Sequence, residues 1–270
     1  MRKFLFPCIA LLAFCADASG KTEVIIPDGY SKVVFQDEFD TDGMPDNGKW
    51  GYEQGYVRNG ELQYYAAARK ENTYIKNGNL HIVARNDSAA IDGEMRPVSS
   101  ASLTTQGKHS WRYCYVEVRA KLPSCLGSWP AIWMMPEKSV YGDWPKSGEI
   151  DIMEHVGYAP ENVHYAAHSE KYNHVKGVQK NRAVPCANVD GEYHIYALEW
   201  KEDSLTWILD GKPMFTLDKE NGADWESWPF DQNFYLILNF AFGGGWGGQQ
   251  GVDRSALPQE YLIDYVRVFQ

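Results

Sequence analysis

Glu149, Asp151 and Glu154 stand in a stretch, Gly148-Glu149-Ile150-Asp151-Ile152-Met153-Glu154-His155-Val156-Gly157, that otherwise reads as a buried, branched, apolar strand. Carboxylates this close together are costly to fold around. Their mutual field and partial burial push their pKa values apart, so one can hold a proton while another is ionised. Glycoside cleavage with retention needs such a pair: a carboxylate that attacks the sugar and an acid that protonates the departing oxygen, roughly 5 Å apart. Asp151, shorter and set between the two Glu, suits tuning of the attacker through a hydrogen bond. Two other readings stay open for this segment. It could be a solvated strand face, or a carboxylate cluster for a hard cation, although acids spread along one strand make a poor cage.

Side chains alternate faces along a strand, so Glu149 and Asp151 share one face while Glu154 would point to the other. A β-bulge at Ile152-Met153 flips the parity and brings all three acids to one surface. The elements that must carry this strand are themselves strands. Val33-Phe35, Leu80-Arg85, Tyr113-Ala120, Ile195-Trp200, Leu205-Leu209, Phe234-Phe240 and Tyr261-Phe269 are short alternating or apolar runs bounded by Gly, Pro, Asn and Asp. Asn77-Gly78-Asn79 and Asp210-Gly211-Lys212 have hairpin turn chemistry. With no long amphipathic helix, the pattern predicts an all-β, two-sheet β-sandwich.

The 270 residues are 44% hydrophobic, enough for a substantial core, and no composition break divides them. We expect a leader over 1–18 and a single domain over 19–270. Arg2, Lys3, an apolar run from Phe4 to Phe14 and small residues at Ala16-Asp17-Ala18 form a secretory pattern, with a lipoprotein signal ending before Cys15 as the alternative. The predicted chain is therefore exported, either secreted or held at the cell surface by lipid, with no transmembrane segment. With 26 Lys+Arg against 36 Asp+Glu, the formal charge of −10 disfavours nucleic acid as a partner. Aromatics make up 14%, including 10 Trp and 17 Tyr, and planar rings stack on the apolar faces of sugars as readily as they fill a β-core. Cys114, Cys125 and Cys186 are odd in number and without metal spacing, so ordinary buried thiols are expected.

The acid segment resembles the active-site signature of family 16 glycoside hydrolases in its bulged form, Glu-x-Asp-x-x-Glu, the laminarinase-like and mixed-linkage β-glucanase branch. The similarity extends, in order and spacing, to Asn59-Gly60-Glu61-Leu62-Gln63-Tyr64-Tyr65, Lys121-Leu122-Pro123, Trp129-Pro130-Ala131-Ile132-Trp133-Met134-Met135-Pro136, Tyr196-Ala197-Leu198-Glu199-Trp200 and Asp264-Tyr265-Val266-Arg267-Val268. The resemblance implies a β-jelly roll with a concave cleft. It also implies a retaining endo-acting enzyme on β-1,3- or mixed-linkage β-1,3/1,4-glucan without a catalytic cofactor; a monomer is the expectation, although the sequence does not display the oligomeric state. A galactan hydrolase or transglycosylase of the same fold, or a non-catalytic glucan-binding jelly roll, is the alternative.

Carried onto this chain, the resemblance puts Trp129 and Trp133 in the cleft and gives Asn59 a glycone hydroxyl, with Arg85 as a further substrate contact or a surface residue. His164 and His168 share a face of a strand beside the acids. His168 is expected to touch substrate or Glu154, and a zinc pair lacks a third ligand. Trp246, in Phe242-Gly243-Gly244-Gly245-Trp246-Gly247-Gly248, is expected as a stacking platform or a structural Trp, since no phosphate-loop Lys follows. A structural calcium remote from the acids would take Glu38, the Gly78 carbonyl and Asp264, unless Asp264 only caps a strand end.

Overall fold

The computed structural model describes residues 23–88 and 90–270. The expected leader over 1–18, including Cys15, lies outside the described residues. The period-2 runs form two large sheets. One has seven strands in the order Lys180–Pro185, Asn162–His168, Glu149–Glu154, Ser128–Pro136, Phe234–Phe242, Ser102–Thr104, Gly51–Tyr52. The acid strand is thus interior, hydrogen-bonded on both sides. The other sheet has ten strands around Gln259–Phe269, which pairs with Tyr115–Lys121 on one side and with Val33–Asp37 and Asn79–Asn86 on the other.

Alternation assigns the faces. In Ser128–Pro136, Ile132 and Met134 enter the main core, as do Leu236, Leu238 and Phe240 of Phe234–Phe242. They meet Val116, Val118, Leu205, Trp207 and Ile263 from the ten-stranded sheet. Each fully buried Val, Leu or Ile contributes about 1.5–3 kcal/mol, so this interface anchors the sheet that carries the acids. The opposite face of the seven-stranded sheet has its own apolar group, Ala131, Trp133 and Ile237, with Met135 and Tyr235 against it. Trp133 therefore belongs to the outer face. Cys114 and Cys186 are buried free thiols and Cys125 is a half-buried one. No helix among the described residues is long and apolar enough to cross a membrane.

Candidate active site

The acid strand carries the expected bulge. Trp133 faces Asp151 and Ile132 faces Met153 on one side, while Ala166 faces Asp151 and His164 faces Glu154 on the other, with the register slipping between. Ile150, Ile152 and Met153 all reach the main core, so two consecutive residues point inward where a regular strand would send one. The inserted residue turns Glu154 to the same side as Glu149 and Asp151. The bulge is tied down from behind, because Trp207 of the ten-stranded sheet donates its indole N–H to the Asp151 carbonyl at 2.7 Å.

Each Glu has its own indole. Trp144 Nε1 donates to Glu149 Oε2 at 2.6 Å, and Trp129 Nε1 donates to Glu154 Oε1 at 3.0 Å. His168, opposite Glu149 in the ladder, places Nε2 3.2 Å from Asp151 Oδ2 and 4.0 Å from Glu149 Oε1. Burial pushes all three carboxyls up. Glu149 rises to about 8, the Asp151 charge adding to desolvation while His168 and the Trp144 bond pull it back. Asp151 rises to about 7 through burial, against its bond with Glu149. Glu154 rises well above the usual carboxylate range, with Asp151 and Glu149 adding to burial and Trp129 opposing. Burial favours the acid form of Glu154, and Glu149 has both a His and an indole to support its anion.

Residues 61–267 match glycosyl hydrolases family 16. The chain belongs to this family. It is 46% identical to the beta-glucanase of Rhodothermus marinus over 247 residues, 88% of this chain and 85% of that one. Its fold superposes with a TM-score of 0.84 on the laminarinase from Rhodothermus marinus, at 45% identity over 88% of this chain and 97% of that chain. A TM-score of 0.86, also at 45% identity and over 91% and 96% of the two chains, relates it to a mutant of SCLam, a non-specific endo-beta-1,3(4)-glucanase co-crystallised with 1,3-beta-D-cellotriosyl-glucose and presenting a 1,3-beta-D-cellobiosyl-glucose at the active site. The all-β jelly roll read from the sequence is thus the fold of this family 16 member.

The remaining expected residues divide between the site and elsewhere. Trp246 sits in a single helical turn, Gly244–Gly247, with its ring edge-on to Trp129 at 5.5 Å and to His164 at 4.9 Å. It therefore flanks the Glu154 end of the acid row. His168 lies at the other end, because the register pairs it with Glu149 and pairs His164 with Glu154. Contact of His168 with Glu154, one of its two expected roles, is therefore replaced by contact with Asp151. Trp133 donates to Asn239 Oδ1 at 2.8 Å beneath the Arg58 guanidinium, 4.9 Å from its ring. Asn59 takes a left-handed backbone, φ 57°, and donates to Glu61 at 3.1 Å. Arg85 lies on the ten-stranded sheet, 3.7 Å from Asp87, and the structure does not bring it to the three acids.

Of the calcium residues, Asp264 lies on Gln259–Phe269 between the stretch that pairs with Val33–Asp37, ending at Val266, and the stretch that pairs with Asn79–Asn86, ending at Ile263. The side chains there are already engaged. Arg267 takes both Glu38 oxygens at 2.8 and 2.9 Å, and Arg119 takes Asp264 Oδ2 at 2.6 Å. Calcium wants about six to eight oxygens, so this donor set fits it only in part: carbonyls and water would have to replace the Glu38 carboxylate. Among the described residues, the cluster that presents three ligand atoms within 4.8 Å is Glu149, Asp151 and His168, which is the acid site itself.

Sequence reasoning missed Trp144, which lies between Ser128–Pro136 and Glu149–Glu154 and in none of the runs or motifs singled out. It also missed the depth of Glu61, Gln63 and Tyr65. Their i, i+2, i+4 spacing was a readable sign of a shared face.

Proposed function

We propose that this family 16 hydrolase is a retaining endo-β-glucanase in which Glu149 is the nucleophile, Glu154 the acid/base and Asp151 the group that tunes Glu149. One observation carries the reading: a bulge aligns two half-buried Glu, each capped by its own Trp, with His168 opposite Glu149 in the ladder and in contact with Asp151. Glu149 attacks the anomeric carbon as the bond to the leaving oxygen breaks, and Glu154 gives that oxygen its proton. Glu154 then takes a proton from water, whose oxygen attacks the anomeric carbon and releases Glu149. No cofactor enters either step.

Trp129, Trp133 and Trp246 line the sugar path as stacking faces, and Asn59 meets a hydroxyl on the glycone side. The substrate class is β-1,3- or mixed-linkage β-1,3/1,4-glucan, in line with what the relatives' names state. The gap beside Asp264 is a candidate structural calcium site, tested by whether EDTA lowers Tm. The leader over 1–18, or a lipid-bearing Cys15, followed by one catalytic domain over 19–270, completes the reading. Mass measurement of the exported product distinguishes the two leaders.

The deciding experiment measures reducing ends released from laminarin, lichenan, barley glucan, xyloglucan and agarose, with Glu149→Gln and Glu154→Gln alongside. The expected result is release from laminarin and mixed-linkage glucan, falling by about 10²–10⁴-fold or more in both variants. Proton NMR should show the β-anomer first. Release from agarose alone would replace the substrate, and binding without any release would replace the enzyme by a lectin.

A further inference from the structure

Glu61 is 7% exposed and lies outside the acid row, yet its carboxylate collects three side-chain donors. Asn59 Nδ2 donates to Oε1 at 3.1 Å, while Gln63 Nε2 and the Tyr65 hydroxyl donate to Oε2 at 2.6 and 3.3 Å. The direction of two of these bonds is forced. The Trp133 indole can only donate, so Asn239 must turn its oxygen toward it. The Asn239 amide then donates to the Tyr65 oxygen at 2.9 Å, and Tyr65 must pass its own proton toward Glu61. Gln63 is fixed likewise, because its oxygen accepts the Phe242 N–H at 2.7 Å and leaves its amide for Glu61. Every donor converges on one group, and only an acceptor-only side chain satisfies all of them.

We propose that the Glu61 carboxylate is a positioning residue for the glycone flank, holding the Asn59 amide and, through Tyr65 and Asn239, the plane of the Trp133 indole. Burial raises its pKa, and the bonds from Gln63, Asn59 and Tyr65 and the Arg58 guanidinium offset part of that rise. The same segment also holds the Trp246 turn: the Gly245 N–H donates to the Asn59 carbonyl at 2.9 Å, and a Cβ on Gly244 would come within 2.9 Å of Glu61 Cγ. The Asn59–Tyr65 segment thereby touches both the Trp133 indole, through Asn239, and the turn that carries Trp246. This deepens the glucanase reading and rests on it for the identity of the sugar.

Glu61→Gln keeps the shape but turns one acceptor into a donor facing donors. Tyr65→Phe cuts the chain in the middle without touching charge. Both are measured for kcat and KM on laminarin, and for the ¹H–¹⁵N signal of the Trp133 indole, assigned by its loss in Trp133→Phe. The expected result is KM raised about tenfold with kcat within about threefold, unchanged pH limbs of kcat, and a displaced Trp133 indole signal while that of Trp200 stays. An unmoved Trp133 signal in Tyr65→Phe, an unchanged KM, or a loss borne by kcat with shifted pH limbs overturns the proposal. If Glu61→Gln does not fold, Tyr65→Phe decides. If the wild-type protein cleaves no glucan, the substrate reading has failed, and the indole signal still decides whether Glu61 holds Trp133.

Discussion

Trp207 and Asp151 belong to opposite sheets, and the indole of one donates to the main-chain carbonyl of the other at 2.7 Å, both residues being buried. The bond falls at the strand position where the ladder slips. Trp207→Phe keeps most of the packing but leaves a buried carbonyl without this donor, which costs about 1–3 kcal/mol. The expected outcome is a Tm lower by roughly 2–10 °C, together with a fall in kcat that persists well below the new Tm. Thermal unfolding and initial rates on the same preparation check both.

Trp129 and Trp144 should act oppositely on the width of the pH profile. The Trp144 bond favours the Glu149 anion, so Trp144→Phe raises the Glu149 pKa and moves the acidic limb to higher pH. The Trp129 bond favours the Glu154 anion, so Trp129→Phe raises that pKa and lets the acid form persist into more alkaline solution. The first variant narrows the bell and the second widens it, each by up to about one pH unit. The pH dependence of kcat/KM resolves the two limbs.

Glu149→Gln should be more stable than the wild type, by an amount that depends on pH. The Glu149 carboxyl rises from 4.5 to about 8 in the fold. Between those values the folded state binds more protons than the unfolded state, so wild-type stability falls as pH rises through that window. The cost is absent below it and complete above it. The Tm difference between variant and wild type should therefore grow from pH 4.5 to about 8 and then level, the stability difference reaching about 1–3 kcal/mol. His155, whose pKa burial lowers to about 4, contributes the opposite slope in both proteins and cancels in the difference.

Gly157→Ala tests the end of the acid strand. A Cβ there would lie 1.7 Å from the Cys125 carbonyl oxygen, a backbone atom that cannot move aside cheaply. The expected outcome is a loss of about 3 kcal/mol or more, read as a lower urea midpoint or failure to accumulate folded protein.

The acids, the bulge and the two-sheet plan were legible because they depend on period-2 alternation and one parity slip, which a sequence displays directly. Which histidine faces which acid depends on pairing register between Glu149–Glu154 and Asn162–His168, and register is set by partners distant in the chain. His164, not His168, accordingly faces Glu154 in the ladder. Trp144 was hidden for a related reason: a loop side chain carries no periodicity to show where it folds back. At Glu38, the Arg267 partner stands 229 residues away, so the ion pair that the carboxylate makes could not be read from the local sequence.

Cys114, Cys125 and Cys186 carry no crosslink, and the two-sheet core closes without one. Holding these residues in the native fold therefore needs no oxidant. A reducing host should yield the same active protein as an oxidising one, and dithiothreitol should leave both Tm and turnover where they were.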